Sequence, residues 1–238
     1  MSGEQAAPAP HESGPVPPDE PVRPRVLVFF DYACPFCYID QPRFDHLREE
    51  FDAELALVPF ELRPHIPREG ISAAEHDLGH SERVERRMLE LAEEAGLPME
   101  LRDHVPNTHR AMLMAEVARD LGWEQHWRTH MAIFRAYYGD GRDIGEDAVL
   151  LEVAETSGLD PGEVQASWDE GRYEERLHEF QHVALHLGVT ATPSALICNE
   201  LLIGSRPYGV LREAVQRCLI TEQDLDREEQ TTSAVEPR

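Results

Sequence analysis

The chain has 238 residues, which is enough to bury a core without disulfide or metal staples and predicts one domain with room for a large insertion. Asp and Glu number 46 against 22 basic residues, all of them Arg, and the formal net charge is -24. Because nucleic-acid binding requires a basic surface, no nucleic-acid partner is expected. Two explanations of the acidity stay open: ordinary solubility with an Arg-favouring genome, or adaptation to high salt, which screens like-charge repulsion.

Both ends of the chain are polar and are expected to lie outside the folded domain. Residues 1–24 are rich in Pro, Gly and acidic side chains, lack the basic start and apolar stretch of a signal peptide, and predict a disordered tail. Residues 221–238 predict a flexible C-terminal tail. No run reaches the ~18 consecutive apolar residues that span a bilayer, so we expect a cytoplasmic protein with no membrane partner.

The first elements predict a β-α-β unit. Residues 25–32 form a short apolar run rich in Val and Phe, which indicates a buried strand. Pro35 then opens a segment in which apolar residues repeat at helical spacing. Residues 53–62 predict a second strand, broken by Pro59. The connection between two such strands is expected to be right-handed.

The middle of the chain, residues 72–176, has a helical pattern and no strand is predicted there. Residues typical of helix ends and helix starts punctuate it: Gly96, Gly122, Gly139 and Gly158, and Ser81, Thr108 and Asp160. A further helix, two short strands at residues 194–198 and 201–204, and a last helix at residues 207–220 follow.

This order of elements is that of an α/β thioredoxin fold split by a helical insertion. We predict that residues 25–71 and 172–220 form the thioredoxin domain around one mixed sheet. Residues 72–171 are predicted to form an all-helical insertion, which covers the end of the sheet that carries the first two cysteines.

The motif that carries chemistry is "DYACPFCY", residues 31–38, in which two residues separate Cys34 from Cys37 between a strand and a helix. The helix dipole and unpaired backbone N–H groups at a helix N-terminus stabilise a thiolate and lower its pKa. Cys34 has that place, and Cys37 can attack a mixed disulfide formed on it. The pair therefore predicts a redox site. A zinc half-site is the weaker alternative, because no second ligand pair follows at zinc spacing.

Two further positions bear on this chemistry. Phe36 supplies neither charge nor a hydrogen-bond donor, so we expect a pKa of Cys34 below the free value but above that of the strongest oxidants. Thr192 and Pro193 open the third strand, where a proline is sterically tolerated. In a thioredoxin fold this place holds a cis proline beside the cysteine pair, and we expect one here.

The sequence resembles the DsbA-like thioredoxin oxidoreductases of the FrnE type, relatives of 2-hydroxychromene-2-carboxylate isomerase and kappa-class glutathione transferase. The resemblance runs from about Val26 to Leu219. It rests on residues 31–38, 59–70, 106–116, 134–150 and 187–197. The sequence departs from the family pattern in two places: Phe36 stands in place of the more frequent Trp, and Thr-Pro-Ser in place of Val-Pro-Thr. The redox potential of relatives therefore cannot be assigned to this protein.

The resemblance implies a DsbA-like protein-disulfide oxidoreductase without a cofactor or a metal. Cys34 would be the nucleophile, Cys37 the resolving thiol and Pro193 the cis proline that shapes the substrate groove. Contacts with protein or small-molecule thiols and disulfides, including glutathione or another low-molecular-weight thiol, are implied for the remaining candidates: Pro35, Phe36, Thr192 and Asn107. A helix-capping role for Asn107 is the alternative.

Two competing functions stay open. One is a glutathione-dependent isomerase or transferase, although those relatives generally carry Ser at the position of Cys34. The other is a non-catalytic, redox-regulated binding module. The presence of both Cys34 and Cys37 favours redox exchange.

Two remaining motifs are assigned no function. "HEFQH", residues 178–182, matches the zinc-protease pattern, but Gly188 stands where a third ligand would be expected, so chance is favoured over metal binding. Cys198 and Cys218 lie on a strand and on the apolar stripe of the last helix, and both are expected to pack as small hydrophobic side chains. An auxiliary disulfide that passes electrons to the main pair is the alternative.

Overall fold

A computed structural model describes residues 23–76 and 78–233, with side chains as far as Ile220. The predicted N-terminal tail lies outside these residues except for Arg23 and Pro24. The strands are β1 Arg25–Phe30, β2 Glu54–Pro59, β3 Ile71–Ser72, β4 His104–Val105, β5 Ser194–Ile197 and β6 Glu200–Ile203. The helices are α1 Pro35–Phe51, α2 Glu82–Glu94, α3 His109–Asp120, α4 Trp123–Phe134, α5 Asp147–Ser157, α6 Pro161–Asp169, α7 Glu174–His186 and α8 Tyr208–Ser233.

Four strands form one mixed sheet in the order β2-β1-β5-β6. β1 pairs in parallel with β2, with Arg25 opposite Glu54, and antiparallel with β5, with Val26 opposite Ile197. β6 pairs antiparallel with β5 at the edge. The crossover helix α1 joins the parallel pair, as parallel strands require. The predicted thioredoxin sheet, built from both ends of the chain, is confirmed.

Helices cover both faces of this sheet because successive side chains of a strand point to opposite faces. Val28 of β1 belongs to the core cluster that includes Leu47 of α1 and Val215 of α8. Phe29, the next residue of β1, packs instead in the cluster that includes Ala184 of α7. The sheet is therefore the middle layer, with α1 and α8 on one face and α7 on the other.

The insertion, which was predicted to be all-helical, is mainly helical. Helices α3 to α6 pack against one another, and α2 packs against α1. The chain continues from α4 into a π-helical turn, Arg135–Gly139. Two predicted helix boundaries are confirmed: Gly158 ends α5 with a φ of 92°, and Asp160 Oδ1 accepts a hydrogen bond from Gly162 N–H at the start of α6.

The prediction that residues 72–171 contain no strand is wrong, because β3 and β4 form a second, two-stranded antiparallel sheet. Each strand has two residues, which is too short to show a period in the sequence. Asp103 holds the pair together: its Oδ2 accepts from Ser72 Oγ at 2.6 Å and its Oδ1 from Ala74 N–H at 2.7 Å. Gly70 precedes the pair with a φ of 73°, and a Cβ there would lie 2.8 Å from the backbone O of Val105, so the position favours glycine.

The last helix is longer than predicted, since α8 continues past Ile220 to Ser233. Residues 221–233 lack an apolar stripe, and this pattern predicts a tail. Their three Glu and two Gln have high helix propensity, which favours continuation of the helix. Of the predicted C-terminal tail, residues 234–238 lie outside the described residues.

Cys198 and Cys218 form a disulfide, with their Cα atoms 6.1 Å apart. The expectation of two free, packed thiols is wrong: α8 packs on β5, and this brings Cys218 within disulfide range of the residue that follows β5. Cys198 N–H donates to Arg25 O at the start of β1, whereas Cys34 follows the other end of that strand. The 6 residues of β1 span roughly 20 Å. This separation argues against direct electron transfer to the main pair.

Candidate active site

Cys34 and Cys37 lie at the turn between β1 and α1. Cys34 is the N-cap residue of α1, with an extended backbone, and Pro35 occupies the first helical turn. Cys37 N–H donates to Cys34 O at 3.1 Å. Both cysteines are free thiols, and Cys34 is 6% exposed while Cys37 is completely buried. An incoming sulfur atom therefore reaches Cys34 first.

The two thiols have opposite ionisation behaviour. Burial raises the pKa of Cys34, but a hydrogen bond from the Cys37 thiol, the effect of the nearby Thr192 side chain and a hydrogen bond from the Cys37 backbone N–H together outweigh it, so this pKa lies below its usual value. Burial raises the pKa of Cys37 well above its usual value, and the hydrogen bond to Cys34 and the charge on Cys34 raise it further. The predicted lowering at Cys34 is confirmed in direction. The structure shows in addition that hydrogen bonds from the Cys37 thiol and backbone contribute to this lowering of the Cys34 pKa.

A buried carboxyl group, Asp31, stands at the base of the cysteine turn. Its Oδ1 accepts from Ala33 N–H at 2.9 Å and from Thr108 Oγ1 at 3.0 Å, and its Oδ2 accepts from Leu62 N–H at 2.7 Å. Burial raises the pKa of Asp31, and these three hydrogen bonds oppose the rise. Asp31 thus connects the cysteine turn to the loop after β2 and to the start of α3, and its charge raises the pKa of Cys34.

The peptide bond between Thr192 and Pro193 is cis, as predicted. It precedes β5, which pairs with β1, and it therefore lies at the same end of the sheet as the cysteine turn. The Cys34 thiol donates a hydrogen bond to Thr192 O at 3.2 Å. Two of the candidates from distant parts of the sequence are thus in direct contact.

A cavity of about 470 Å³ opens beside Cys34. The cysteine turn, the loop after β2, the insertion and the residue before the cis proline all contribute to its wall: Cys34, Phe36, Arg63, Arg102, Tyr138 and Thr192. Pro35 lines it as well. Cys34 and three of the predicted contact residues therefore meet at one opening, which can admit a small disulfide or a segment of a larger one.

Sequence analysis did not single out Tyr137 and Tyr138, which the π-helical turn brings to this cavity. Both are buried, and Tyr137 Oη donates to His104 O at 2.6 Å. The stretch that holds them, residues 134–150, was part of the family resemblance, but nothing in its spacing indicates a π-helical turn.

Asn107 does not line the cavity beside Cys34. Its Nδ2 donates to Ile66 O at 2.6 Å and its Oδ1 accepts from His109 N–H at 3.1 Å, so both ends of the amide are used in holding the start of α3. It faces a separate cavity of about 400 Å³ together with Arg68 and Arg110.

His109 joins three segments next to this second cavity. Its Nδ1 lies 3.0 Å from Glu61 Oε1 and its Nε2 lies 2.9 Å from Glu174 Oε2. The hydrogen bond to Glu61 is the main cause that raises the pKa of His109, burial opposes it, and the charges of both carboxylates add to it. The imidazole therefore connects the loop after β2, α3 and α7 most strongly when it is protonated.

The "HEFQH" stretch lies on α7, where His178 and His182 are exposed. His186 Nδ1 lies 2.9 Å from His182 O. Within residues 23–76 and 78–233, no group of three or more His, Cys, Asp or Glu side chains is arranged to hold a metal ion. None of the described helices has both the length and the apolar character needed to cross a membrane.

Residues 25–216 match the DSBA-like thioredoxin domain. The structure is similar to a probable DsbA oxidoreductase from Streptomyces coelicolor, with 25% identity, a TM-score of 0.75, and coverage of 82% of this chain and 89% of that one. It is also similar to a 2-hydroxychromene-2-carboxylate isomerase, with 20% identity, a TM-score of 0.67, and coverage of 84% and 98%.

A third solved structure with this fold is the cytosolic disulfide reductase DsbM from Pseudomonas aeruginosa with GSH, at 18% identity and a TM-score of 0.54, covering 89% of this chain and 100% of that one. The likenesses to the isomerase and to DsbM show a shared fold. The domain match covers most of the chain, and the sheet order, the cysteine turn and the cis Thr192–Pro193 bond agree with it. The chain belongs to the DSBA-like thioredoxin domain family.

Proposed function

We propose that this protein is a thiol-disulfide oxidoreductase that exchanges disulfides through Cys34 and Cys37. The observation that carries the proposal is the difference between the two thiols: Cys34 keeps 6% exposure and has a lowered pKa, whereas Cys37 is completely buried and has a raised pKa. In a pair of this kind, the first thiol attacks the substrate disulfide and the second thiol resolves the mixed disulfide.

Reduction of a substrate disulfide takes two steps. The Cys34 thiolate attacks one substrate sulfur, a bond forms between them, and the electron pair of the substrate S–S bond leaves on the other sulfur as a thiolate. The Cys37 thiolate then attacks Cys34 Sγ, the intramolecular disulfide forms, and the second substrate thiolate is released. The protein loses two electrons, the substrate gains them, and the reverse sequence oxidises a dithiol.

Formation of the mixed disulfide in the first step favours ionisation of Cys37, which the second step requires. In the free dithiol, burial, the hydrogen bond to Cys34 and the charge on Cys34 all raise the pKa of Cys37. Once Cys34 is bonded to substrate, its sulfur carries no charge and the last two causes are reduced. The pKa of Cys37 then falls, and the resolving thiolate forms when there is a mixed disulfide to resolve.

The substrates we propose are disulfides and thiols of proteins or of small molecules, including glutathione or another low-molecular-weight thiol. The cavity volume of about 470 Å³ is sufficient for a small thiol, and Arg63 in its wall can pair with a substrate carboxylate. Pro35, Phe36, Thr192 and Pro193 would contact the substrate. Asn107 is left out, because its amide is used by Ile66 and His109. We propose a cytoplasmic setting, as described for DsbM.

The test is turnover of hydroxyethyl disulfide with dithiothreitol as the reductant, followed by the formation of oxidised dithiothreitol, because the exchange leaves the total number of free thiols unchanged. Cys34→Ser should abolish turnover. Cys37→Ala should accumulate a mixed disulfide on Cys34, visible by mass spectrometry as an added substrate half. The matched control is the double variant C198S/C218S, which changes two sulfurs remote from the site and should keep full turnover.

A glutathione-dependent isomerase or transferase would give a different pattern, because such chemistry requires no resolving thiol. Turnover of the disulfide that persists in Cys34→Ser would contradict the proposal. So would a Cys37→Ala protein that turns over as fast as the parent and forms no mixed disulfide.

A further inference from the structure

The wall of the cavity beside Cys34 contains a buried hydroxyl group that the mechanism above does not use. Tyr138 lines this cavity and is 4% exposed. Its Oη has no hydrogen-bond partner among the side chains and backbone groups that the structure describes. Native proteins leave few buried polar groups unpaired, so this hydroxyl requires an explanation. The adjacent Tyr137 shows the contrast, since its Oη is satisfied by His104 O.

The backbone and a ring stack fix the position of Tyr138. Tyr138 lies in the π-helical turn, and its backbone O accepts a hydrogen bond from Glu100 N–H at 2.7 Å. Its ring stacks on Tyr38 of α1, with centroids 5.5 Å apart and an interplanar angle of 9°. π-helical turns are rare in proteins, and those that occur often lie at functional sites. The hydroxyl is therefore held in place by the fold, and no partner for it lies among the residues that the structure describes.

The electrostatic surroundings keep this hydroxyl protonated. Burial raises the pKa of Tyr138 well above its usual value, and the charges of Tyr137, Cys34 and Cys37 raise it further. A phenol in this state is a hydrogen-bond donor. The cavity that Tyr138 lines admits the substrate sulfurs that react with Cys34, and such a sulfur can supply the acceptor that the hydroxyl lacks among the described residues.

We propose that Tyr138 Oη donates a hydrogen bond to the substrate sulfur that leaves when Cys34 attacks. This inference rests on the proposed exchange function. As the Cys34–sulfur bond forms and the substrate S–S bond breaks, the electron pair stays on the leaving sulfur, which becomes a thiolate. A thiolate accepts a hydrogen bond more strongly than a neutral disulfide sulfur, so the donor stabilises the transition state more than the bound substrate.

The experiment compares Tyr138→Phe with the matched control Tyr137→Phe on two disulfides that differ in their leaving groups. Hydroxyethyl disulfide releases a basic aliphatic thiolate, and dithiobis-nitrobenzoate releases a weakly basic aromatic one. A hydrogen-bond donor therefore stabilises the basic aliphatic thiolate more than the weakly basic aromatic one. We expect Tyr138→Phe to lower kcat/KM about tenfold with hydroxyethyl disulfide and less than about twofold with the aromatic disulfide. Tyr137→Phe should leave the ratio of the two kcat/KM values unchanged.

This ratio is measured within each variant, so it does not depend on the fraction of folded protein. Equal losses on both disulfides in Tyr138→Phe, or no loss on hydroxyethyl disulfide, would overturn the inference. The rate at which iodoacetamide alkylates Cys34 should be the same in Tyr138→Phe as in the unmodified protein. A changed alkylation rate would show that the Tyr138 hydroxyl acts on Cys34, and this result would also overturn the inference. If the unmodified protein turns over neither disulfide, the proposed function itself fails, and the inference fails with it.

Discussion

Cys34 Sγ lies 3.2 Å from Thr192 O, although 158 positions separate the two residues in the chain. The contact holds the less buried thiol of the pair against the residue that precedes the cis proline. The Thr192 side chain also helps to lower the pKa of Cys34. Thr192 is therefore a place where the reactivity of the pair can be changed without touching either sulfur.

Thr192→Val replaces the hydroxyl with a methyl group of similar size and keeps the backbone carbonyl. We expect the pKa of Cys34 to rise, because one of the groups that stabilises its thiolate is lost. The measurement is the rate of Cys34 alkylation by iodoacetamide against pH, followed on the Cys34 peptide by mass spectrometry. A midpoint equal to that of the unmodified protein would show that the Thr192 hydroxyl has no part in the lowered pKa.

Asp31→Asn is expected to have two effects. Removal of the negative charge should lower the pKa of Cys34 further, because the charge of Asp31 raises it. The variant should also lose roughly 1–3 kcal/mol of stability, because the amide nitrogen of Asn cannot accept the hydrogen bond from Leu62 N–H. Alkylation against pH and urea unfolding measure the two effects.

Thr108→Val is the matched control for this variant. It removes one hydrogen bond to Asp31 and leaves the charge in place. It should lower stability by about 1 kcal/mol and should not lower the pKa of Cys34. If both variants shifted the alkylation midpoint equally, the charge of Asp31 would not be the cause.

The sequence was sufficient to predict the parts of the fold and the site that depend on local pattern. The strand, the cysteine turn and the helix of β1 and α1 follow from apolar spacing and from Pro35, and the family resemblance indicated the cis bond at Pro193. Asp31 and Tyr138 escaped prediction, because their importance depends on partners in distant segments, such as Leu62 for Asp31, or on the absence of a partner for Tyr138.

The Cys198–Cys218 disulfide was missed for a related reason. Each cysteine has an apolar neighbourhood that predicts packing equally well, and only the docking of α8 on β5 decides that the two sulfurs meet. Likewise, two residues in β3 and two in β4 carry no period, and their pairing depends on the side chain of Asp103.

Removal of the Cys198–Cys218 disulfide should weaken the fold and leave the chemistry intact. With a sequence separation of 20 residues, C198S/C218S is expected to lose about 3 kcal/mol of unfolding free energy, since the unfolded chain gains entropy. Urea unfolding of the variant measures the loss, and reduction of the parent by a strong thiol should produce the same direction of change. Disulfide turnover at a temperature well below unfolding should equal that of the parent. A loss of turnover in the folded variant would assign this disulfide a role in exchange.

His109 is expected to make stability depend on pH. Its pKa in the folded protein is raised above 6.5, so its interactions with Glu61 and Glu174 stabilise fully below pH 6.5 and are lost as pH rises through the folded pKa. His109→Gln should therefore lower the melting temperature more at about pH 6 than at about pH 9. The control is His65→Gln, an exposed histidine on the loop after β2, which should show no such difference. An equal loss at both pH values would contradict a charged link between the three segments.

The complete burial of Cys37 behind Cys34 determines the order of events in any exchange through this pair. Oxidant and reductant must each react with the same sulfur atom, that of Cys34, so the two cannot be bonded to it together. Turnover then alternates between an oxidised and a reduced form of the protein. Double-reciprocal plots of initial rate against the concentration of one substrate, at several fixed concentrations of the other, should be parallel lines. An excess of either substrate should slow the reaction, because it occupies the form of the protein that the other substrate needs. The rate of exchange therefore depends on the ratio of oxidant to reductant as much as on their concentrations.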